Sequence, residues 1–217
     1  MSASAFDPTK FIDREFEQEL FEELRRFSNA ARILGIRDTG GMGKSHLLER
    51  FQYRCRTIKP RTPVSLLQLD QIAESPIALI GTIVEHLSRF DIEFPTFRQI
   101  EGARVAGDFD SIRAYVTLEG ARFDHASNVR IGGLMVNSEL VETTYTTSTA
   151  VELSDEQEGM ARGTSMQAFF RDMKAAADRQ SIVLLFDAYE RCPASLQRWI
   201  EETLLEKLCF ALDQRPA

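Results

Sequence analysis

A cluster of glycines followed by a lysine and a serine is the first feature of this chain that could do chemistry. In the stretch GIRDTGGMGKSHLL, residues 35–48, three glycines stand close before Lys44 and Ser45. Glycine allows positive φ and close approach of backbone to phosphate, lysine neutralises phosphate charge, and a serine hydroxyl can bind Mg²⁺. The pattern therefore predicts a phosphate-binding loop. Its candidate nucleotide contacts are Gly40, Gly41, Met42, Gly43, Lys44, Ser45 and His46.

The loop departs from the usual pattern G-x-x-x-x-G-K-[ST] at one position. Asp38 stands where the first glycine is expected. That position lies at the exit of the preceding strand, and aspartate tolerates turn geometry better than most residues. We therefore predict that Asp38 points to solvent and that Asp38→Gly leaves nucleotide affinity nearly unchanged. A gain of about tenfold or more would instead place its carboxylate against the nucleotide.

Two acidic residues after another apolar run could complete a hydrolytic site. Residues 182–186 form a continuous apolar run, as expected of a central parallel strand, and Asp187 and Glu190 follow it. Asp187 would hold Mg²⁺ together with Ser45, and Glu190 would polarise the attacking water, with Lys44 as the third catalytic candidate. Many hydrolases place this glutamate directly after the aspartate. The plainer alternatives are a simple acid at a strand end and a solvated residue ahead of a helix.

The hydrophobic pattern around these residues predicts alternating strands and helices. Residues 16–27 have the 3.6-residue period of an amphipathic helix, the run ARILGI predicts a strand, and residues 45–58 predict the helix after the glycine loop. A strand is expected at 64–69, and Ser75 with Pro76 can open the next helix. A helix before residues 182–186 and another after Pro193 complete the pattern. This order predicts an α/β fold, the parallel-sheet core of a P-loop NTPase with helices on both faces.

Residues 100–158 interrupt this alternation within a domain that otherwise runs over 1–217. Residues 114–118 and the run VETTYTTSTAV at 141–151 have strand character, while Gly132-Gly133 and Asn137-Ser138 are turn signals. An insertion of one or two β-hairpins is predicted here, and a polar disordered linker is the open alternative. A lid or a surface that binds a partner is the functional interpretation of such an insertion, and a passive loop is the open alternative.

Composition argues against several other classes of protein. The formal net charge of −7 disfavours a protein that coats nucleic acid or binds anionic membranes. No apolar run approaches the roughly 18 residues of a membrane span, and no signal-peptide pattern opens the chain, so a cytoplasmic location is expected. Cys55, Cys192 and Cys209 are widely spaced, which predicts reduced, packing cysteines rather than a disulfide framework or a zinc site.

Three blocks together resemble the signal-transducing ATPases with numerous domains, the STAND branch of the P-loop NTPases within the AAA+-like group. They are FIDREFEQEL at 11–20, GGMGKSHLL at 40–48 and LLFDAYERCPASLQRWIEETL at 184–204. The resemblance implies a nucleotide-controlled switch that signals through protein partners or a homo-oligomer, with Phe11, Ile12 and Arg14 against the adenine. From the residues alone, Phe11 and Ile12 are equally a hydrophobic staple ahead of a helix. No N-K-x-D motif for guanine is present, so ATP and Mg²⁺ are the expected ligands.

The chain departs from this family at Asp38 and at its end. In the family, the next strand lies between the first and third strands of the sheet, and the sequence stops before it. We therefore expect a partial nucleotide-binding domain with unpaired backbone groups in its sheet. Such a fragment should be poorly stable or self-associating and should turn ATP over weakly. Cooperative unfolding of a monomer with substantial ATPase activity would contradict this expectation.

Two other function classes remain open beside an ATPase. A degenerate NTPase could bind nucleotide without hydrolysing it and act as an interaction module. A small-molecule or nucleotide kinase would need an arginine-rich lid, for which Arg122 and Arg130 are sparse. Hydrolysis that Glu190→Gln abolishes while binding persists would exclude the first, and phosphoryl transfer to a panel of acceptors would test the second.

Overall fold

The computed structural model describes residues 14–26, 32–37, 43–72, 75–124 and 154–213. Within these ranges the protein is mostly helical and contains a two-stranded parallel sheet flanked by helices. No helix of the described residues offers an apolar stretch long enough to cross a membrane. The mixed α/β class expected from the sequence is therefore confirmed in this general form.

The first two helices pack together through their aromatic residues. Helix α1 is Glu15–Arg26 and helix α2 is Lys44–Thr57. The rings of Phe21 and Phe51 stack with their centroids 4.0 Å apart, and Leu47 beside them is fully buried. Both helices were expected from the 3.6-residue spacing of apolar residues, which places those residues on one face.

The sheet consists of two strands from distant parts of the chain. Strand β1 is Val64–Gln68 and strand β2 is Val183–Asp187, and they pair in parallel with Val64 opposite Val183 and Gln68 opposite Asp187. Val64 and Leu185 join the buried cluster formed by the first two helices. Both strands lie within one residue of the expected positions, because short apolar runs bounded by turn residues are a strong strand signal.

The remaining helices follow the strands or connect them. Helix α3 follows β1 and begins after Ser75, whose backbone carbonyl accepts from Leu79 N at 3.1 Å but whose side chain makes no capping hydrogen bond. After β2 come a 3₁₀ turn and then α7, a π-helical segment and α8 in direct succession. The bounds are Pro76–Ser88 (α3), Pro95–Ala106 (α4), Phe109–Asp124 (α5), Asp155–Ala177 (α6), Tyr189–Arg191 (3₁₀ turn), Ala194–Trp199 (α7), Ile200–Leu205 (π segment) and Glu206–Asp213 (α8).

The strand expected ahead of the glycine loop is wrong for the residues that the structure describes. Residues 32–37 belong to no helix or strand. Leu34 and Ile36 are half-buried and pack on the core cluster, while Ile33 is exposed, which is the alternation of a strand. A strand also needs a hydrogen-bonded neighbour, and within the described ranges the sheet contains β1 and β2 alone. Residues 32–37 therefore have the apolar alternation of a strand but not, within the described part of the chain, its backbone hydrogen bonds to a neighbouring strand.

The strand expected at residues 114–118 is also wrong, since these residues lie inside α5. Asp108 caps this helix by accepting hydrogen bonds from Ser111 N at 3.1 Å and Ser111 Oγ at 2.5 Å, and Ile112 is fully buried. A capped first turn with a buried anchor outweighs a short β-branched run, because β propensity is weak and depends on context. The predicted hairpin at 141–151 and its turn signals lie outside the described residues.

The described residues fall into two compact units. One unit comprises those up to Thr96 and those from Ala168 onward, and it contains both strands. The other is Phe97–Gln167, which is helical. In the second unit, Arg104 donates to Glu101 at 2.7 Å and to Glu158 at 2.6 Å, and Ser165 also donates to Glu101. These bonds connect α4 to the first half of α6.

Candidate functional site

Of the loop's glycines the structure describes Gly43, which directly precedes α2 as its N-cap residue. Gly43 has φ 77° and ψ 19°, the left-handed region, and its carbonyl accepts from Leu47 N at 3.0 Å. A Cβ built on Gly43 would meet no heavy atom of the described residues within 4 Å. The glycine is therefore needed for its backbone conformation rather than for space. The first N–H groups of the helix have no intrahelical acceptor, so this terminus suits an anion.

The helix start and the end of β2 meet through a hydrogen bond between two predicted site residues. Ser45 Oγ donates to Asp187 Oδ1 at 3.1 Å, across 142 residues of sequence. The same carboxylate oxygen accepts from Ala188 N at 2.9 Å, so two donors fix its orientation. Asp187 is the last residue of β2 and its carbonyl accepts from Leu69 N at 3.1 Å. The sheet thereby places this carboxylate against the first turn of α2.

Lys44, Asp187 and Glu190 line a single cleft of about 580 Å³. Residues 32–37 and strand β2 both line the cleft, and both belong to the same compact unit. The three candidate catalytic residues lie where β2 ends and α2 begins. Farther along β2 the lining is apolar and includes Leu34, Ile36 and Leu184. This volume is in the range of small-molecule sites, which are mostly apolar with a few polar groups.

A turn that the sequence did not predict carries Glu190. Ala188 has φ 56° and ψ 35°, a left-handed conformation that alanine rarely adopts. The 3₁₀ turn after it is fastened to α7 and to the π segment: Gln197 Nε2 donates to the Tyr189 carbonyl at 2.7 Å, and the Tyr189 hydroxyl donates to Glu201 Oε1 at 2.7 Å. Glu190 itself is exposed.

Burial and the neighbouring carboxylate of Glu201 both raise the pKa of the Tyr189 hydroxyl above its usual range. The phenol therefore keeps its proton and remains the donor to Glu201 throughout the neutral range. On the other side of the turn, Arg191 lies 3.8 Å from Asp70, a residue just after β1. Ionic attraction thus connects the turn to the loop that follows the first strand.

The other predicted site residues are only partly described. His46 is exposed in the first turn of α2. Arg14 precedes α1 with φ 65° and forms an ion pair with Glu17 at 3.1 Å. Arg122 lies within α5. The remaining predicted residues lie outside the described ranges: Phe11, Ile12, Asp38, Gly40, Gly41, Met42 and Arg130.

The donor set at the strand end fits a magnesium ion that is held partly by a nucleotide. Among the described residues, no group of three or more His, Cys, Asp or Glu side chains could hold a metal by itself. Magnesium usually takes one or two protein oxygens and completes its coordination with water and substrate phosphates. One hydroxyl, on Ser45, and one carboxylate, on Asp187, within hydrogen-bond distance of each other match this requirement.

Comparisons with known proteins give no assignment for this chain. A scan against protein-family models, a search of curated proteins and a search of solved structures each found no match.

Proposed function

We propose that this chain is an ATP-binding, Mg²⁺-dependent P-loop NTPase module that acts as a nucleotide-controlled switch. The observation that carries the proposal is the hydrogen bond of 3.1 Å between Ser45 and Asp187. It joins the serine of the GKS motif to the acid at the end of the parallel strand β2, which is half-buried except for the buried Leu185. This is the pairing that magnesium-dependent phosphate chemistry requires. The resemblance to STAND-type ATPases adds the switching role and the adenine contacts at Phe11, Ile12 and Arg14.

Each residue of the proposed site has a distinct task. Lys44 would neutralise the β and γ phosphates, and the first N–H groups of α2 would hold their oxygens. Ser45 and Asp187 would hold Mg²⁺, which when bound would neutralise the charge that develops on the phosphate oxygens. Glu190, which lines the same cleft as Lys44 and Asp187, would accept the proton of the attacking water.

Nucleotide binding and phosphate release by four proteins would test the proposal. Wild type should bind a fluorescent ATP analogue in the presence of Mg²⁺ and release phosphate from ATP. Lys44→Ala should weaken binding by about tenfold or more, because the phosphates lose their main counter-charge. Glu190→Gln should keep binding and lose hydrolysis. Lys174→Ala removes an exposed lysine of α6 and should match wild type.

Some results would remove the proposal altogether. If wild type does not bind ATP, or if Lys44→Ala and Lys174→Ala bind equally well, the loop is not a phosphate site. Magnesium has its own test: Ser45→Ala should make ATP affinity far less dependent on Mg²⁺, while Ser45→Thr keeps the hydroxyl and should retain that dependence. Equal magnesium dependence in both variants would refute the role of Ser45.

A second candidate function is a module that binds nucleotide without hydrolysing it. The observation that favours it is the exposure of Glu190 on a turn that is separate from the strand-end aspartate. A glutamate in that position has no described contact that fixes it against a water. Binding without phosphate release, and no effect of Glu190→Gln, would decide for this alternative. Comparison of the oligomeric state with ATP and with ADP would then test the switch independently of hydrolysis.

A further inference from the structure

We propose that Tyr189, held by Gln197 and Glu201, is a positioning residue that orients the turn carrying Glu190 for hydrolysis. The inference deepens the proposed function and rests on it. The new element is a structural connection between the proposed nucleotide site and the helices that follow β2. The roles proposed above for Lys44, Ser45 and Asp187 do not depend on this connection.

The turn is held at two points by the two helical segments that come after it. Gln197, in α7, donates from Nε2 to the backbone carbonyl of Tyr189 at 2.7 Å. The hydroxyl of Tyr189 donates to Glu201 Oε1, in the π segment, also at 2.7 Å. The carbonyl of Gln197 lies farther from this hydroxyl, at 3.5 Å, so the single phenolic proton belongs to the bond with Glu201. One residue is thus fixed through both its backbone and its side chain.

The turn needs such support because its first residue has an unfavourable backbone conformation. Ala188, at φ 56° and ψ 35°, has a Cβ that crowds the following carbonyl in this region. The same residue donates its N–H to Asp187 Oδ1 at 2.9 Å. If Ala188 relaxed to an ordinary conformation, the chain after it would turn in another direction and Glu190 would move away from Asp187. The contacts of Tyr189 with α7 and the π segment oppose this change.

The position of Glu201 makes this support sensitive to helix winding. Residues Ile200–Leu205 are π-helical, between α7 and α8, and single π turns often occur at functional sites. Rewinding this segment as an α-helix would change its i→i+5 hydrogen bonds to i→i+4 and alter the directions of its side chains relative to α7. Glu201 is the second residue of the segment, so its carboxylate would shift relative to the Tyr189 hydroxyl. Movement of the C-terminal helices would in this way reach Glu190.

Steady-state ATP hydrolysis in a double-mutant cycle would test the inference. Tyr189→Phe and Glu201→Ala should each lower kcat by about tenfold while KM stays within about twofold, since the turn acts on the attacking water rather than on nucleotide binding. The double variant should be no worse than either single variant, because both remove one bond. Glu201→Gln keeps an acceptor for the phenol and should retain most of the activity. Glu202→Ala, an exposed neighbour in the same π segment, is the matched control.

Each outcome decides the inference. Wild-type hydrolysis with unchanged kcat in Tyr189→Phe and Glu201→Ala overturns it and leaves the proposed function intact. Additive losses in the double variant, or losses no larger than the unfolded fraction measured by circular dichroism, also overturn it. If wild type binds ATP without hydrolysis, nothing is positioned for catalysis and the inference falls while nucleotide binding stands. If wild type does not bind ATP, both proposals fail together.

Discussion

At the scale of single residues, the site depends on backbone conformation as much as on side-chain chemistry. Gly43 is left-handed at the start of α2, and Ala188 is left-handed at the end of β2. The two residues that meet there are close to these left-handed positions: Ser45 follows Gly43 by two residues, and Asp187 directly precedes Ala188. The hydrogen bond between them therefore reports whether both backbone conformations are in place.

A pair of glycine substitutions should change stability in opposite directions. Gly43→Ala should lower the free energy of unfolding by about 1 to 2 kcal/mol, because a Cβ is disfavoured at φ 77° although the space beside it is open. Gly81 lies inside α3 with equally open space, so Gly81→Ala should raise that free energy by about 0.5 to 1 kcal/mol. Urea titration of both variants measures the two changes.

Asparagine provides the control for this pair. Gly43→Asn should cost less than Gly43→Ala, since asparagine tolerates the left-handed region better than alanine does. If Gly43→Ala were as stable as wild type, the conformation of Gly43 in solution would differ from the one described. The residue before α2 would then not have the left-handed conformation.

At the scale of elements, the sequence predicted those whose signals are local and strong. Leu47 lies on the expected buried face of α2, and β2 is a short apolar run ended by an acid. In α1 the helix is confirmed but its predicted face is not, because Phe16 is exposed and Phe21 is the buried aromatic residue. The pairing of Ser45 with Asp187 also followed from the sequence, because a helix that follows a glycine loop starts at the carboxyl edge of a parallel sheet. The contact between Tyr189 and Glu201 could not be predicted, since no local sequence signal indicates the left-handed Ala188, the 3₁₀ turn or the π segment.

Strand β2 has one paired edge and one edge that faces the cleft, and amide exchange should distinguish them. Val183 N donates to Pro63 O at 2.9 Å, and the carbonyl of Asp187 accepts from Leu69. Backbone groups alternate along a strand, so Leu184 and Phe186 direct their N–H groups to the other edge. Within the described ranges this edge has no strand beside it.

The amides of Leu184 and Phe186 should therefore exchange with deuterium at least about tenfold faster than that of Leu185. Two-dimensional NMR of the labelled protein resolves the three positions, and Leu185 serves as the internal control. Equal protection of all three amides would mean that a further strand covers this edge in solution. Residues 32–37, which have the apolar alternation of a strand, would then be the candidate for that further strand.

Beside the stacked Phe21 and Phe51, α1 and α2 are joined by one buried carboxylate, that of Glu22, which should make stability sensitive to acid. Glu22 is 9% exposed and accepts from Arg25 at 2.7 Å and from Arg54 at 2.6 Å. Burial alone would raise the pKa of Glu22, but the hydrogen bonds and charges of the two arginines outweigh burial and hold that pKa below its ordinary value of 4.5. A carboxylate with a lowered pKa stabilises the fold above its unfolded pKa, and this contribution disappears as pH falls through the folded pKa.

Glu22→Gln should lower the free energy of unfolding by about 3 kcal/mol near pH 7, because two arginines lose their partner. Below about pH 4.5 the difference between wild type and Glu22→Gln should shrink steadily. Glu23→Gln, an exposed neighbour on α1, controls for the general loss of charge and should stay close to wild type at every pH. If the difference in free energy of unfolding between wild type and Glu22→Gln does not change with pH, the charge of the Glu22 carboxylate does not contribute to stability.

At the scale of the whole molecule, the proposed nucleotide site and the buried cluster formed by α1, α2, β1 and β2 belong to the same compact unit. Helix α2 supplies Lys44 and Ser45 at its start and Phe51 and Cys55 to the buried cluster farther along. Strand β2 likewise supplies Leu185 to that cluster and Asp187 to the site. Opening of the core must therefore disrupt the site, so a ligand of the site should oppose opening of the core.

The reactivity of the Cys55 thiol can measure how strongly nucleotide binding opposes opening of the core. Cys55 is fully buried, and burial raises the pKa of its thiol to about 12, so the native protein should react slowly with a thiol reagent and only after α2 opens. A variant with Cys192→Ala and Cys209→Ala leaves Cys55 as the single reporter. If Mg²⁺-ATP binds the closed form alone, a ligand concentration of about 100 times Kd should slow labelling by about a hundredfold. Adding Lys44→Ala to this variant should abolish the protection by Mg²⁺-ATP. If saturating Mg²⁺-ATP does not slow the labelling of Cys55, nucleotide binding does not stabilise the core that α2 and β2 form together.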